Sequence, residues 1–389
     1  MAHKSATIQI LDELLREKTR FLNRLRRFVE LETPPHDARA HLDFFSLLNR
    51  DLKKLGYRTE QYAGRESGGQ LLARLPKPSS GGYQLLLGHI DTVWPKGTLQ
   101  NMPFRKEKNR ISGPGIYDMK AGILMMLTAL RFLQSNGQKM ELQPILFINS
   151  DEETGSTESV DRIMKIARAV RRVYVLEPSL DPDGKLKTRR KGVGHFDIRI
   201  KGVSAHAGIE PEKGRSAILE LSYLIQKLQE LNRPEEGITV NVGKIDGGTG
   251  SNVVAAESKA SVDVRVETKK DAEIMDKAIR SIQSTMEGVT LEISGGFKRP
   301  PLVQNRRNRQ LWQAASGIAE NLGLELKEGI SGGGSDGSYT SLHTATLDGL
   351  GAVGEGAHSP TEKIFFDETL ERIALLSGLL KLPDLSEES

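Results

Sequence analysis

Three stretches of the chain carry unbroken apolar cores: Leu85–Leu87 in YQLLLGH, Ile145–Ile148 in QPILFINS, and Val173–Leu176 in RVYVLEP. A strand that alternates can leave one face in water, but a strand without polar positions must be covered on both. Helix-length segments separate them, above all AGILMMLTALRFLQSNG at residues 121–137. That rhythm restricts the chain to an α/β sheet with helices on its faces. Each run also ends in polar chemistry. His89 and Asp91 follow the first, Glu152 and Glu153 the second, and Glu177 closes the third. His89 and Asp91 lie two residues apart, the spacing that puts strand side chains on one face.

The 389 residues suit two domains rather than one core. Helical periodicity runs over residues 5–31 and stops at Thr33-Pro34-Pro35, and a second helix fits Ala38–Leu55 before Gly56. From Gly192 the texture changes. GHFDIRIKG alternates strictly, then come the helix SAILELSYLIQKLQEL, the strands ITVNVGKIDGG and KASVDVRVE, a helix at KKDAEIMDKAIRSIQSTM and the strand VTLEIS. That order, β-α-β-β-α-β, describes a ferredoxin-like unit. The expected architecture is a catalytic α/β domain with a mixed sheet, residues 1–191 and 297–389. Residues 192–296 form an insert closed by Gly295 and Gly296. The stripe Ile218, Leu221, Ile225 and Leu228 is assigned equally to packing inside the insert and to dimerisation. PDLSEES at the end reads as a frayed tail.

Charge argues against nucleic acid as a partner. Lys and Arg number 55 against 51 Asp and Glu, a net +4, too balanced for a phosphate-binding face. The clusters Lys187–Lys191 and Arg306–Arg309 are read as solvated loops. The chain has no cysteine, which excludes disulfides and thiolate chemistry and leaves His, Asp and Glu to build any metal site. No stretch reaches the ~20 apolar residues of a membrane span. The first residues lack the apolar run of an export signal, so the cytoplasm is the expected location unless a leader has been trimmed.

Taken singly, His89, Asp118, Glu152, Glu153, Glu177 and His358 each fit a plain structural role, such as a turn, an N-cap or an acidic helix start. Together they gather near strand ends, where open α/β sheets place their sites. A hydrolytic site with two metal ions needs about two His, a bridging carboxylate, two terminal carboxylates and one more acid to take a proton from water. The inventory matches that need.

The blocks GHIDTV, GPGIYDMKAG, SDEETGS, LEPS, VSAHAG and GGGSDGSY with GAHSPTEK come in series and span nearly the whole chain. They resemble the M20 family of dinuclear zinc peptidases and deacylases, above all its glutamate carboxypeptidase branch. The resemblance implies two zinc ions, with cobalt or manganese as substitutes. It implies His89, Asp118 and Glu177 on one ion, and Glu153 and His358 on the other, with Asp118 bridging and a cis peptide after it. Glu152 is implied as general base, and Asp91 as the residue that orients a ligand or the acid. His206 is implied to stabilise the oxyanion from the partner subunit of a homodimer built through the inserted lid. Arg265 and Arg299 are the implied receptors for a substrate carboxylate, with Asn252 as a polar contact; Arg265 lies on an alternating strand, where an outward salt bridge accounts for it equally well. Lys185 or Lys187 would meet an acidic side chain, and the glycine-rich loop 331–338 would bring backbone N–H groups near the substrate.

The substrate implied is a peptide or N-acyl amino acid, cut beside its C-terminal residue. An N-acyl-amino-acid deacylase or dipeptidase would use the same ligands and base. A silent metal-binding assembly protein is the remaining alternative, against which Glu152 argues, because assembly alone needs no proton acceptor beside a ligand.

Overall fold

The computed structural model describes residue 11, residues 13–78 and residues 80–385. Its strands are β1 (Arg58–Tyr62), β2 (Gln70–Arg74), β3 (Tyr83–His89), β4 (Arg105–Glu107), β5 (Arg110–Ser112), β6 (Gln143–Asn149), β7 (Arg172–Val175) and β8 (Leu186–Arg190). There follow β9 (Gly192–Lys201), β10 (Thr239–Gly247), β11 (Glu257–Val266), β12 (Thr290–Arg299), β13 (Glu328–Ser331), β14 (Ala345–Leu347), β15 (Gly354–Glu355) and β16 (Lys363–Phe365).

The chain divides into two compact units. One holds the residues up to Arg189, Gln304–Ser331 and the chain from Ser335 on; the other holds Arg190–Val303 and Gly332–Gly334. In the first, a six-stranded sheet runs in the order β1-β2-β6-β3-β7-β14. Its β3, β6, β7 and β14 are parallel, while β1 and β2 pair antiparallel at one edge. The unbroken apolar runs are therefore central parallel strands. Leu85, Leu86 and Leu87 are fully buried. So is most of the helix Ala121–Ser135, which is apolar nearly all round because it packs between the sheet and the helix Phe366–Leu380. The helix expected over residues 5–31 is seen at residues 13–16 and, after a turn at residue 17, over Lys18–Glu30, while residues 5–10 and 12 lie outside the described ones.

The second unit is one antiparallel sheet, β10-β11-β9-β12, with the helices Ala217–Glu230 and Lys269–Arg280. Phe196, Ile198 and Ile200 of β9 face a core of their own with Leu221, Leu224 and Leu228. Two details differ from the sequence reading. The buried stripe of the first helix centres on Leu221, Leu224 and Leu228, and Ile218 is 47% exposed. Gly295 and Gly296 do not close the unit, since β12 runs on to Arg299. Gly295 sits inside that strand at φ 86°, where a Cβ would lie 2.2 Å from His195 O. Glycine there permits a kink within a strand rather than ending it.

Both basic clusters also prove ordered. Lys187–Arg190 belongs to β8, which pairs with β13, and Lys187 and Arg190 are buried. Arg306–Arg309 opens the helix Arg306–Asn321, capped where the Asn305 side chain accepts from Asn308 N. Counting charge missed the strand pairing of one and the cap of the other.

Candidate metal centre

His89 is the last residue of β3, and its ring is almost wholly buried. Asp91 lies just beyond. Its backbone oxygen is 3.0 Å from His89 Nδ1, while its Oδ2 accepts from Glu153 N at 2.9 Å. With Nδ1 so engaged, His89 Nε2 is left to face the site, as in a ligating histidine with an oriented ring. Nε2 lies 3.3 Å from Asp118 Oδ1 and 3.4 Å from Glu177 Oε1. Asp118 Oδ2 lies 3.4 Å from His358 Nε2, which is 3.2 Å from Glu153 Oε1. The carboxylate of Asp118 thus stands between two clusters and turns one oxygen to each. The Asp118-Met119 peptide bond is cis, as the family resemblance implied.

Ligand atoms of His89, Asp118 and Glu153 lie within 4.8 Å of one another, as do those of His89, Glu152 and Glu177. His89 Nε2, Asp118 Oδ1 and Asp91 Oδ1 are buried without a hydrogen-bond partner. Buried polar atoms are nearly always satisfied. A ring nitrogen and a carboxylate oxygen left so, 3.3 Å apart, fit a shared cation, and the oxygen and imidazole donors suit zinc and its neighbours.

The electrostatics carry the same mark. Burial works against a charged His89, but Asp118, Asp91 and Glu177 prevail and hold its pKa well above the ordinary imidazole value. Burial opposes ionisation of Asp118 too, and His358 and His89 overcome it and push the carboxyl far below its usual range. Glu153 is pushed up to about 7, first by burial, despite His358 beside it. Contacts with Asp118 and Glu153 raise His358 to about 11.

A cleft of about 290 Å³ opens beside Asp118, with Tyr117, Ser179, Lys187, Ser331 and Glu355 among its walls. A larger cavity of about 1050 Å³ lies among the helices Lys18–Glu30, Ala38–Lys54 and Ala121–Ser135, and no member of either metal-ligand group lines it.

The remaining candidates from the sequence fall elsewhere. His206 and Asn252 are exposed in the second unit, where His206 Nδ1 accepts from Gly208 N. Arg265 forks onto Asp263, with Nε to Oδ1 at 2.7 Å and Nη2 to Oδ2 at 2.8 Å, so a substrate carboxylate would have to compete for it. Arg299 is buried in the same unit. Lys185 turns to Asp181 and Asp183, at 2.9 and 3.5 Å. One buried residue gained no role from the sequence beyond its acidity. Glu362 accepts hydrogen bonds from segments 244 to 268 residues away, a separation over which no local pattern speaks.

The profile of peptidase family M20/M25/M40 matches residues 85–382. Carboxypeptidase G2 of Pseudomonas sp. (strain RS-16) is 29% identical over 349 residues, which are 88% of this chain and 84% of that protein. Aminoacylase-1 of Mus musculus is 26% identical over 74% of this chain and 76% of its own. Among solved structures, a tripeptidase from Staphylococcus aureus superposes with a TM-score of 0.78 at 22% identity, over 94% of this chain and 98% of that one. The likeness there is one of fold.

Proposed function

The chain belongs to peptidase family M20/M25/M40, and from that premise we propose that this metallo-hydrolase is a carboxypeptidase of the glutamate type. It would release a C-terminal amino acid from a peptide or N-acyl substrate with two zinc ions. The observation that carries the two-metal part of the reading is the division of Asp118, with Oδ1 toward His89, which Glu177 also meets, and Oδ2 toward His358, which Glu153 also meets. The long match to carboxypeptidase G2 supports the choice of branch.

Two divalent ions bound there would polarise the scissile carbonyl and acidify a bridging water. His89, Asp118 and Glu177 would hold one, and Asp118, Glu153 and His358 the other. Asp91 fixes the His89 ring and the backbone at Glu153. Glu152 takes the proton from the attacking water and returns it to the leaving amine. His206 donates its ring N–H to the oxyanion. In this reading it reaches the site of a second protomer. Exposed apolar side chains on the second unit, Ile209, Ile218, Leu219, Tyr223 and Ile245, support a homodimer through that unit. Arg265, Arg299 and Asn252 receive the substrate carboxylate. Lys185 or Lys187 would meet an acidic side chain, and Lys187 lines the cleft beside Asp118.

The test is a hydrolysis screen with Zn, Co and Mn, varying the C-terminal residue against a fixed acyl group and then the acyl group against glutamate. Preference for C-terminal glutamate supports the proposal. The relationship to aminoacylase-1 favours a second reading, an N-acyl-amino-acid deacylase. Indifference to the C-terminal residue with selection of the acyl group would favour that one.

A further inference from the structure

Glu362 lies in the turn after His358, its backbone N–H bonded to Ser359 O, and its side chain is fully buried. Its carboxylate accepts four hydrogen bonds. Oε1 receives Tyr117 N at 2.8 Å and Asp118 N at 3.1 Å, and Oε2 receives Gly115 N at 2.9 Å and Trp94 Nε1 at 2.8 Å. Trp94 follows His89 and Asp91 in the loop beyond β3, and Gly115–Asp118 is the loop that presents Asp118. One carboxylate therefore ties together three of the segments that bear the proposed ligands.

We infer that Glu362 is a positioning residue for the shared metal site. It acts through the backbone of Asp118, holding that carboxylate between the two ion positions. The inference rests on the dinuclear reading above and extends it to a residue that touches neither ion. Other buried or half-buried carboxylates clamp loops in this chain, as Glu220 does with Thr285 N and Met286 N. Glu362 alone among these two grips a loop that carries a proposed ligand.

The chemistry of the clamp makes it sensitive to the amide. An ionised carboxylate is acceptor only, and here each oxygen meets two N–H groups. A glutamine has one acceptor oxygen and an NH₂ that must face a pair of donors, which drives one side of the clamp apart. If that side moves Asp118, both ions lose their shared ligand together. A purely structural role would lower stability and leave metal affinity alone.

The experiment uses the full chain stripped of metal and titrated with zinc by chelator competition, for wild type, Asp118→Asn, Glu362→Gln and Glu220→Gln, with thermal unfolding alongside. Positioning predicts that Glu362→Gln weakens both equivalents by about 10- to 100-fold, the range for partners of ligating groups. It predicts that Glu220→Gln stays within about twofold of wild type while losing thermal stability. Glu362→Asp, which remains acceptor only, regains part of what the amide loses. A Glu362→Gln protein that melts earlier yet binds both equivalents as wild type overturns the inference. Should Glu362→Gln not fold, Glu362→Asp against Glu220→Asp decides it: reduced affinity confined to the former supports positioning, and equal affinity overturns it. The dinuclear reading fails separately, if wild type takes fewer than two equivalents or if Asp118→Asn binds as wild type does.

Discussion

Asp118 and His358 come together across 240 residues of sequence, with Oδ2 of the first 3.4 Å from Nε2 of the second, while Oδ1 faces His89 at 3.3 Å. A carboxylate used by one partner would have a free edge; this one has a histidine at each. Replacing it with asparagine leaves one neutral oxygen where two charged ones stood. Asp118→Asn is expected to lose both metal equivalents, and Glu177→Ala only one, with the other retained. Lys185→Ala leaves metal content unchanged, since its ammonium pairs with Asp181 and Asp183 away from both ligand groups. Metal analysis after dialysis checks all three, and equal loss in Glu177→Ala and Lys185→Ala would show the ligand assignment to be wrong.

Glu152 is buried and within reach of His89 and Glu177. If it moves the proton rather than holding an ion, Glu152→Gln keeps both metals and lowers kcat by about 10²- to 10⁴-fold, with KM little changed. Metal content and steady-state kinetics on one preparation separate the roles. Loss of an ion with the activity would make Glu152 a ligand.

The metal-free protein should respond to pH in a defined direction. Glu153 is raised from 4.5 to about 7 and His358 from 6.5 to about 11. Both groups bind protons in the folded state that the unfolded chain releases. Their contribution to stability is complete below the unfolded values and is lost as pH rises through 7 and then 11. Asp118, held far below its ordinary value, works with the opposite sign: its contribution is present above 3.8 and lost only in strong acid. Ligation needs imidazoles without a proton and ionised carboxylates, so metal binding also gains with pH. The gap in Tm between metal-bound and metal-free protein is expected to widen from pH 5.5 to 8. A constant or narrowing gap contradicts the assigned partners.

Packing around the site is equally exposed to test. Gly122 opens the helix after Asp118, and a Cβ there would lie 2.2 Å from Leu176 O, in the segment leading to Glu177. A backbone carbonyl cannot turn aside as a flexible side chain does, so the helix must shift. Gly122→Ala, which should favour a helix by propensity, is instead expected to destabilise by about 1–3 kcal/mol, read in denaturant unfolding. A neutral or stabilising result would mean the helix and strand end are less closely packed than described.

Much of this was legible in the sequence because local pattern and burial agree. Leu85–Leu87 demanded cover on both faces and lie at the sheet's centre, and β9 alternates because only one of its faces is buried. The fold and the family followed from such runs and from the motif blocks. What local pattern could not carry was the side of each contact set by distant chain. Lys187 and Arg190 are buried in a strand although their charges suggested solvent. Arg265 was a candidate receptor with an outward salt bridge as the equal alternative, and its fork meets Asp263, two residues away on the same face of β11. Glu362 was visible only as an acid near His358, and its four donors come from two loops more than 240 residues earlier.

The most direct test is anomalous diffraction from crystals of the zinc-loaded protein. Two peaks roughly 3.5 to 4 Å apart are expected, one contacted by His89, Glu177 and one oxygen of Asp118, the other by Glu153, His358 and the second oxygen. A single peak, or a pair that does not share Asp118, would contradict the account.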